Sequence, residues 1–464
     1  MKSVTGTTAA AGGGWGELLG REHLGAATVL AGGVAIYATN EFITMSLLPS
    51  AVADIGGERL YAWVTTVYLV ASVVAATTVG PLLLRLGPQW SYLGGLMSFA
   101  MGSAVCALAP TMPLLLAGRV VQGLSGGALA GLGYAVISTV LPDRLWTRAS
   151  ALVSAMWGLG TLVGPTAGGL FAQFGCWRAG FAALGVLSVA MSLLVPVALP
   201  GRSGPPSTRL RIPFWSLLLL GVAALVVSLA SLPRNPAFTV ALLALAVALM
   251  AGFVVVDRRL PAAVLPHSTF GAGRLKWIYL ALGGLMAATM VDMYVPLFGQ
   301  RLGGLAPVLA GFLGAALSVG WTAGELASAS LQGSRAIRRL VVVAPLIMAV
   351  GLTLAALTQR DGASAGLVAV WAVALVIAGS GIGMAWPHLS AWAMGAVDDP
   401  EEQAAAAAAI NTVQLICGAF GAGLAGIVVN LQSTPDATAS RWIFTAFAAV
   451  AALTFAASSR SVRG

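Results

Sequence analysis

Charge is what this sequence has least of. Asp, Glu, Lys and Arg together make up 8% of the 464 residues, against roughly 25% in soluble domains. No stretch carries enough charge to clothe a water-facing surface of any size. Cysteine and histidine are equally scarce, with three of each. Cys106, Cys176 and Cys417 lie in or beside apolar runs without metal-ligand spacing, which argues against a zinc site or a structural disulfide. No Ser/His/Asp constellation, phosphate-cradling glycine loop or metal-spaced cluster is visible, so a membrane-embedded enzyme is the weaker reading. No ATPase-like segment is present, which sets aside a primary pump. No cofactor is expected. Lysine is confined to Lys2 and Lys276. A composition rich in Ala, Gly and Arg points to a GC-rich bacterial genome, and so to a bacterial cytoplasmic membrane.

What is abundant is apolar side chain. Hydrophobic residues make up 58% of the chain and mean hydropathy is +0.92, the composition of an integral membrane protein. At roughly 20 apolar residues per crossing, the runs between charges, prolines and glycine clusters give about fourteen helices. They fall into an N-terminal tail (1–23), a first bundle of about six helices (24–200), and a middle section (201–275) holding two plain apolar helices between two linkers. A second bundle of about six helices (276–458) and a short tail (459–464) follow. The first run is too long for a signal-peptide core and is kept as the first helix. The two middle helices lack acids and read as lipid-facing additions. An acidic run, Asp398, Asp399, Glu401 and Glu402, reads as a solvated loop. Most of the basic residues fall in the segments on the side of both termini, which puts that side in the cytoplasm. The net charge of +9 is spread through these short loops, so it marks topology and not nucleic-acid binding.

The few ionisable groups inside apolar runs are the functional candidates, because a buried charge costs several kcal/mol unless it faces a cavity or a partner. Glu41 stands alone in IYATNEFITMSLLP. Asp292 lies at similar depth at the start of the second bundle, and Glu325 lies about 9 Å from the inner end of its helix. Arg119 is the lone cation, about 12 Å inside its helix. A buried guanidinium needs acceptors, so Glu41 and Arg119 are expected to pair in one conformational state, with Glu41 taking a proton in another. A static structural pair is the alternative. Asp292 is a second proton site or an anchor for a cationic substrate. Glu325 is a gate or a salt bridge to Arg335 or Arg338, and His388 is a shuttle or a helix-end hydrogen-bonding residue. Tyr37, Met45, Gln122, Met290, Met293 and Tyr294 are candidate substrate contacts, since Met and aromatic side chains make adaptable lipophilic pockets. Tyr68, Met286, Trp157 and Trp321 are weaker candidates of the same kind, and Asn411 with Gln414 reads as an interhelical hydrogen-bonding pair.

Three segments carry a family resemblance. GRVVQGLSGG, with Arg119, resembles motif B of the major facilitator superfamily. GLGTLVGPTAGG, with Gly164, Pro165, Gly168 and Gly169, resembles the motif C of its drug antiporters. VPLFGQRLGGLAPVLAGFLG, with Pro296, Gln300, Pro307 and Gly311, is similar to the fourteen-helix drug:proton antiporter branch. The resemblance covers residues 24 to 458. Motif A is degenerate: in GPLLLRLGPQW, Gly80, Arg85 and Gly87 fit, but Leu84 stands where an Asp belongs and Pro88 and Gln89 replace a basic pair. The first helix carries Glu41 where such antiporters commonly carry an Asp. The resemblance implies an all-α major facilitator fold with Glu41, Asp292 and Arg119 around a central cavity. It also implies gating through Arg85, Glu325 and the motif C residues, alternating access, proton coupling, and export of small amphipathic, lipophilic or cationic compounds by a functional monomer in the bilayer. A lipid or metabolite exporter of the same fold is the close alternative, and a non-transporting sensor a distant one.

Overall fold

The computed structural model describes residues 14–201, 212–233, 235–260, 263–271, 273–329, 331, 333–396, 400–431 and 437–462. Most of the first linker, and Asp398 and Asp399 of the acidic run, lie outside them. The chain is all helix, as its apolar periodicity demands. The helices of seven residues or more are α1 (Leu24–Ile55), α2 (Tyr61–Ala107), α3 (Met112–Ala135), α4 (Trp146–Gln173), α5 (Trp177–Ala198), α6 (Phe214–Leu229) and α7 (Pro236–Asp257). They continue as α8 (Leu275–Thr289), α9 (Val295–Gly303), α10 (Pro307–Ala329), α11 (Ser334–Thr358), α12 (Ala365–Met394), α13 (Pro400–Asn430) and α14 (Ala437–Ser461). Among the described residues, 11 helical stretches are long and apolar enough to cross a membrane, and Phe214–Leu229 is a shorter apolar helix.

Two helix boundaries follow from local chemistry. The second and third expected crossings run into one another as α2, turning at Gly87, whose φ of 77° and ψ of 172° lie outside helical space. Glycine adopts that positive φ without Cβ strain, and Pro88 after it restarts the helix with its preset φ. The ninth expected crossing is not continuous. Met290–Tyr294 forms a 3-10 turn between α8 and α9. Pro296 explains the break: it has no amide proton to donate to the carbonyl four residues back, on Asp292, and its ring crowds that carbonyl. Irregular backbone at membrane depth is tolerated only where protein or a cavity surrounds it, and all five residues of the turn are buried.

Small residues set how closely the helices approach. A Cβ on Gly123 would stand 2.4 Å from the Tyr68 carbonyl oxygen, and one on Gly127 2.3 Å from that of Ser72. Backbone contact of α3 with α2 therefore requires glycine at both positions. In the second bundle Gly379 and Gly383 of α12 bring its backbone against α10 at Leu317 and Trp321 in the same way.

The two bundles meet toward the end of the molecule opposite the chain termini. There Gly311 of α10 lies against Ser46 of α1, and Gly169 of α4 against Val308 of α10. Gly426 of α13 lies against Ala62 of α2, Tyr61 donates to the Met293 carbonyl at 3.2 Å, and Arg301 pairs with Glu58 at 2.5 Å.

The two middle helices do not behave alike. α7 is largely exposed, as a lipid-facing helix should be. α6 is wedged between the bundles instead. Its Ser228 hydroxyl donates to Thr66 of α2 at 2.9 Å, its Ser228 carbonyl accepts from Trp63 at 3.2 Å, and Gly423 and Gly426 of α13 pack against Ser228 and Ser231. The lipid-facing expectation is corrected for α6: Ser228 is used across helix contacts through both its hydroxyl and its carbonyl. At the other end, Trp15–Leu18 forms a helical turn with Leu18 fully buried, held by an ion pair of Glu17 with Arg144 at 2.6 Å.

Candidate functional site: a caged arginine beside an isolated acid

Arg119 is 2% exposed in the middle of the first bundle. Its guanidinium satisfies itself almost wholly on neutral groups. One terminal nitrogen donates to Gln122 Oε1 at 2.8 Å, Asn40 Oδ1 at 3.2 Å and Thr44 Oγ1 at 3.3 Å, and Nε donates to the Val64 carbonyl at 3.3 Å. Its carbon sits 4.1 Å from the centre of the Tyr68 ring, where cation–π attraction in a desolvated site reaches about 2 kcal/mol. The cage is braced from behind: Gln122 donates to Ser103 Oγ at 2.8 Å, and the Thr44 hydroxyl donates to the Asn40 carbonyl at 2.6 Å.

Glu41 is not part of that cage. It forms neither a hydrogen bond nor an ion pair with Arg119. The contact falls to Asn40, one residue earlier and so about 100° away around the helix. Glu41 points instead into a cavity that it lines with Thr44, Met45, Leu48, Thr65, Tyr68, Arg119 and Met293. The cavity thus draws on α1, α2 and α3 of the first bundle and on the 3-10 turn of the second. Asp292, in that turn, is 5% exposed. Its Oδ1 has no hydrogen-bond partner among the described residues.

Of the six candidate substrate contacts, Met45 and Met293 line the cavity. Tyr37 stacks behind Tyr68, ring centres 6.0 Å apart, and meets Trp157 edge-on at 5.5 Å. Gln122 is fully buried in the arginine cage. Met290 packs against Gly418 and Gly421 of α13, and Tyr294 is stacked between Tyr61 and Phe298. None of these four is among the residues that line the cavity. Asn40, Thr44 and Ser103, which hold the cage, carry no mark in the sequence reading. The spacing of Asn40 and Thr44 by four was the available signal, since it puts both on one helix face.

The motif C residues seat α4 against its neighbours. A Cβ on Gly160, Gly164 or Gly168 would enter α1 at Ala38, Phe42 and Ile43, and one on Gly169 would stand 2.4 Å from Val308 Cα across the bundle boundary. The Pro165 carbonyl faces Gly311 of α10. Glu325 is half-buried and makes no ion pair with Arg335 or Arg338, both exposed on the first turns of α11. The anticipated latch is therefore open here, its two sides lying on successive helices. Arg85 is exposed beside the Gly87 turn. His388 keeps a buried Nε2 without a partner, while Asn411 is exposed.

The chain matches the family model described as Major Facilitator Superfamily over residues 30–422. It is 60% identical to a probable multidrug-efflux transporter of Mycobacterium tuberculosis, over 96% of each chain. It is 25% identical to a multidrug transporter protein of Bacillus subtilis, over 84% of this chain and 72% of that one. Two solved structures share the fold: the nucleoside transporter NupG, with a TM-score of 0.65 at 13% identity over 93% of this chain and 98% of that one, and a POT family transporter in complex with 5-aminolevulinic acid, with a TM-score of 0.66 at 12% identity over 93% and 94%. With its helical bundles meeting around an acid, an arginine and two methionines, the chain is a multi-pass membrane transporter, not an enzyme, and belongs to the Major Facilitator Superfamily.

Proposed function

We propose that the protein is a proton-coupled exporter of small lipophilic or cationic compounds. The single observation that carries this reading is the cavity between the bundles, where Glu41 faces Met45, Leu48, Met293 and the Tyr68 ring. A carboxylate without a fixed partner in a lipophilic wall suits a cation or a proton. Methionine side chains adapt to substrates of varied shape. The multidrug-efflux name of the M. tuberculosis relative points the same way.

In this mechanism Glu41 exchanges a proton for substrate, Asp292 shares or relays that charge from the opposite bundle, and Arg119 is the fixed cation whose field sets the balance between them. The excess of basic residues in the loops on the side of the termini supports both termini lying in the cytoplasm. The contacts at Gly169, Gly311 and Arg301 then lie on the outer side and close it in the present state. Rocking of the bundles would break those contacts and present the same cavity to the outside.

The test is transport of dyes and drugs by the purified protein in proteoliposomes under an imposed pH gradient. Gradient-driven accumulation is expected for the wild type, and a loss of at least about tenfold for Glu41→Gln, the size of effect typical of removing one essential proton-transfer group. Uphill transport by Glu41→Gln at the normal rate would remove the proton role from this residue.

A further inference from the structure

A basic and aromatic strip lies where α7 and α8 flank the second linker and α14 ends. Arg258, directly after α7, stands over the Phe270 ring at 5.6 Å. Lys276, in the first turn of α8, donates to the Gly271 carbonyl at 3.0 Å and stands 5.9 Å from the Trp277 ring. Arg460, in the last turn of α14, reaches the same indole at 4.5 Å. Two cations from two different helices therefore share one aromatic ring, and the Phe270–Gly271 step joins the third to them.

Among the described residues no carboxylate answers this charge. The sequence holds no acid from Arg258 to Trp277, nor from Phe455 to the end. Asp257, the nearest acid, is fully buried, with its oxygens taken by the amides of Val264 at 2.7 Å and Leu265 at 3.0 Å. Among the described residues none of the three cations is in an ion pair. A topology signal needs positive charge in these loops but does not require it to converge on one indole.

The surroundings identify the missing anion. The strip sits at the ends of membrane helices, at the depth where aromatic residues mark the interface. One or two turns further along the same helix faces, three, four and seven residues from Arg258, Lys276 and Arg460, Val255 on α7, Leu280 on α8 and Leu453 on α14 present exposed apolar side chains. A ligand fitting both layers carries a phosphate at one end and an acyl chain at the other. We propose that Lys276, Arg460 and Arg258 bind the headgroup phosphate of an anionic membrane phospholipid, with Trp277 and Phe270 against its glycerol region. Inorganic phosphate matches the cations but gains nothing from the apolar layer.

Native mass spectrometry of the intact protein, titrated with phosphatidylglycerol or phosphatidylcholine, tests this. The wild type is expected to retain a first phosphatidylglycerol that excess inorganic phosphate does not displace, and no phosphatidylcholine of equal affinity. Lys276→Gln with Arg460→Gln should weaken that first binding about 30-fold, from the typical contribution of two interfacial cations. The conservative pair Lys276→Arg with Arg460→Lys should retain it. A charge-matched pair in the first turns of α11, Arg338→Gln with Arg339→Gln, should leave it unchanged. Equal weakening by the two neutralising pairs, equal affinity for the two lipids, or displacement by inorganic phosphate would each overturn the proposal.

Discussion

A single methyl group at Gly169 should change which side of the transporter is open. Its Cβ would stand 2.4 Å from Val308 Cα and 2.9 Å from the Val308 amide nitrogen, where ordinary contact begins at 3.4 Å. The atoms are backbone and cannot swing aside, so α4 and α10 must separate by about 1 Å or strain to a similar extent. Overpacking of this kind costs about 1–3 kcal/mol. Because α4 and α10 belong to different bundles, the cost falls only on the state in which this contact is made. The ratio of the two states then shifts about 5- to 150-fold away from the present one. Gly164→Ala is the matched control. Its methyl would meet Phe42 Cβ at 2.4 Å, an equal clash, but with α1 of the same bundle, so it should weaken both states together. Spin labels at Phe174 and Asp361, exposed on the two bundles at the closed end, with the native cysteines replaced, read the separation by pulsed electron resonance. Gly169→Ala should add a longer-distance population, and Gly164→Ala should lower the melting temperature without one. If Gly169→Ala gives the wild-type distance distribution and only a lower melting temperature, the contact is not a conformational one.

Arg119→Lys offers one ammonium to acceptors on Asn40, Thr44, Gln122 and Val64. Each buried acceptor it leaves unmet costs about 1–3 kcal/mol, so thermal unfolding should come earlier and transport should fall at least about tenfold. Asn40→Asp sets a carboxylate against the guanidinium and cancels its charge. The affinity ratio of cationic to neutral substrates, measured by equilibrium binding, should rise several-fold, and an unchanged ratio counts against the field of Arg119 acting on the cavity. Asn430→Ala deletes the side-chain bonds to the carbonyls of Arg59 at 2.9 Å and Ser231 at 3.3 Å, and should raise thiol reactivity of a cysteine placed at Thr65. At the opposite end, the hydrogen bond from Arg144 holds the Glu17 carboxyl below its usual range. The contact is fully present above the ordinary glutamate pKa and is lost as pH falls through the lowered value. Exchange protection of the Leu18 and Leu19 amides, corrected for the intrinsic rate, should fall over that window and be low at every pH in Arg144→Gln.

The helices were legible because a membrane demands a continuous apolar run and an internally bonded backbone for each crossing. The turn at Gly87–Pro88 was equally visible, since that residue pair does the same work in any context. The 3-10 turn at Asp292 was written four residues downstream, in Pro296, but reading it requires counting back along the hydrogen-bond ladder. The placement of α6 had no such local sign. Ser228 looks like a scattered polar residue in a lipid-facing helix until Thr66, Trp63 and Gly423 are brought to it from distant parts of the chain. Asp257 was likewise read as part of a linker, although it is buried and caps the chain segment that follows.

At the site, composition singled out the buried ionisable groups but not their partners. Pairing Arg119 with Glu41 follows from charge alone, which asks for the nearest carboxylate. The arginine answers to geometry, and Asn40, a third of a turn away, is the residue that faces it. The difference bears on mechanism. A guanidinium locked to a carboxylate would neutralise both and leave the cavity with nothing to offer a cation. Held by an amide, a hydroxyl, a carbonyl and an aromatic face, Arg119 keeps its charge without consuming that of Glu41. Desolvation of so many dipoles is costly, and it is repaid only because the bonds among Gln122, Ser103, Asn40 and Thr44 fix them before the arginine arrives. The acid beside the cage is thereby left with two possible occupants, a proton or a cationic substrate. Competition between them for one carboxylate is the minimum an exchanger requires.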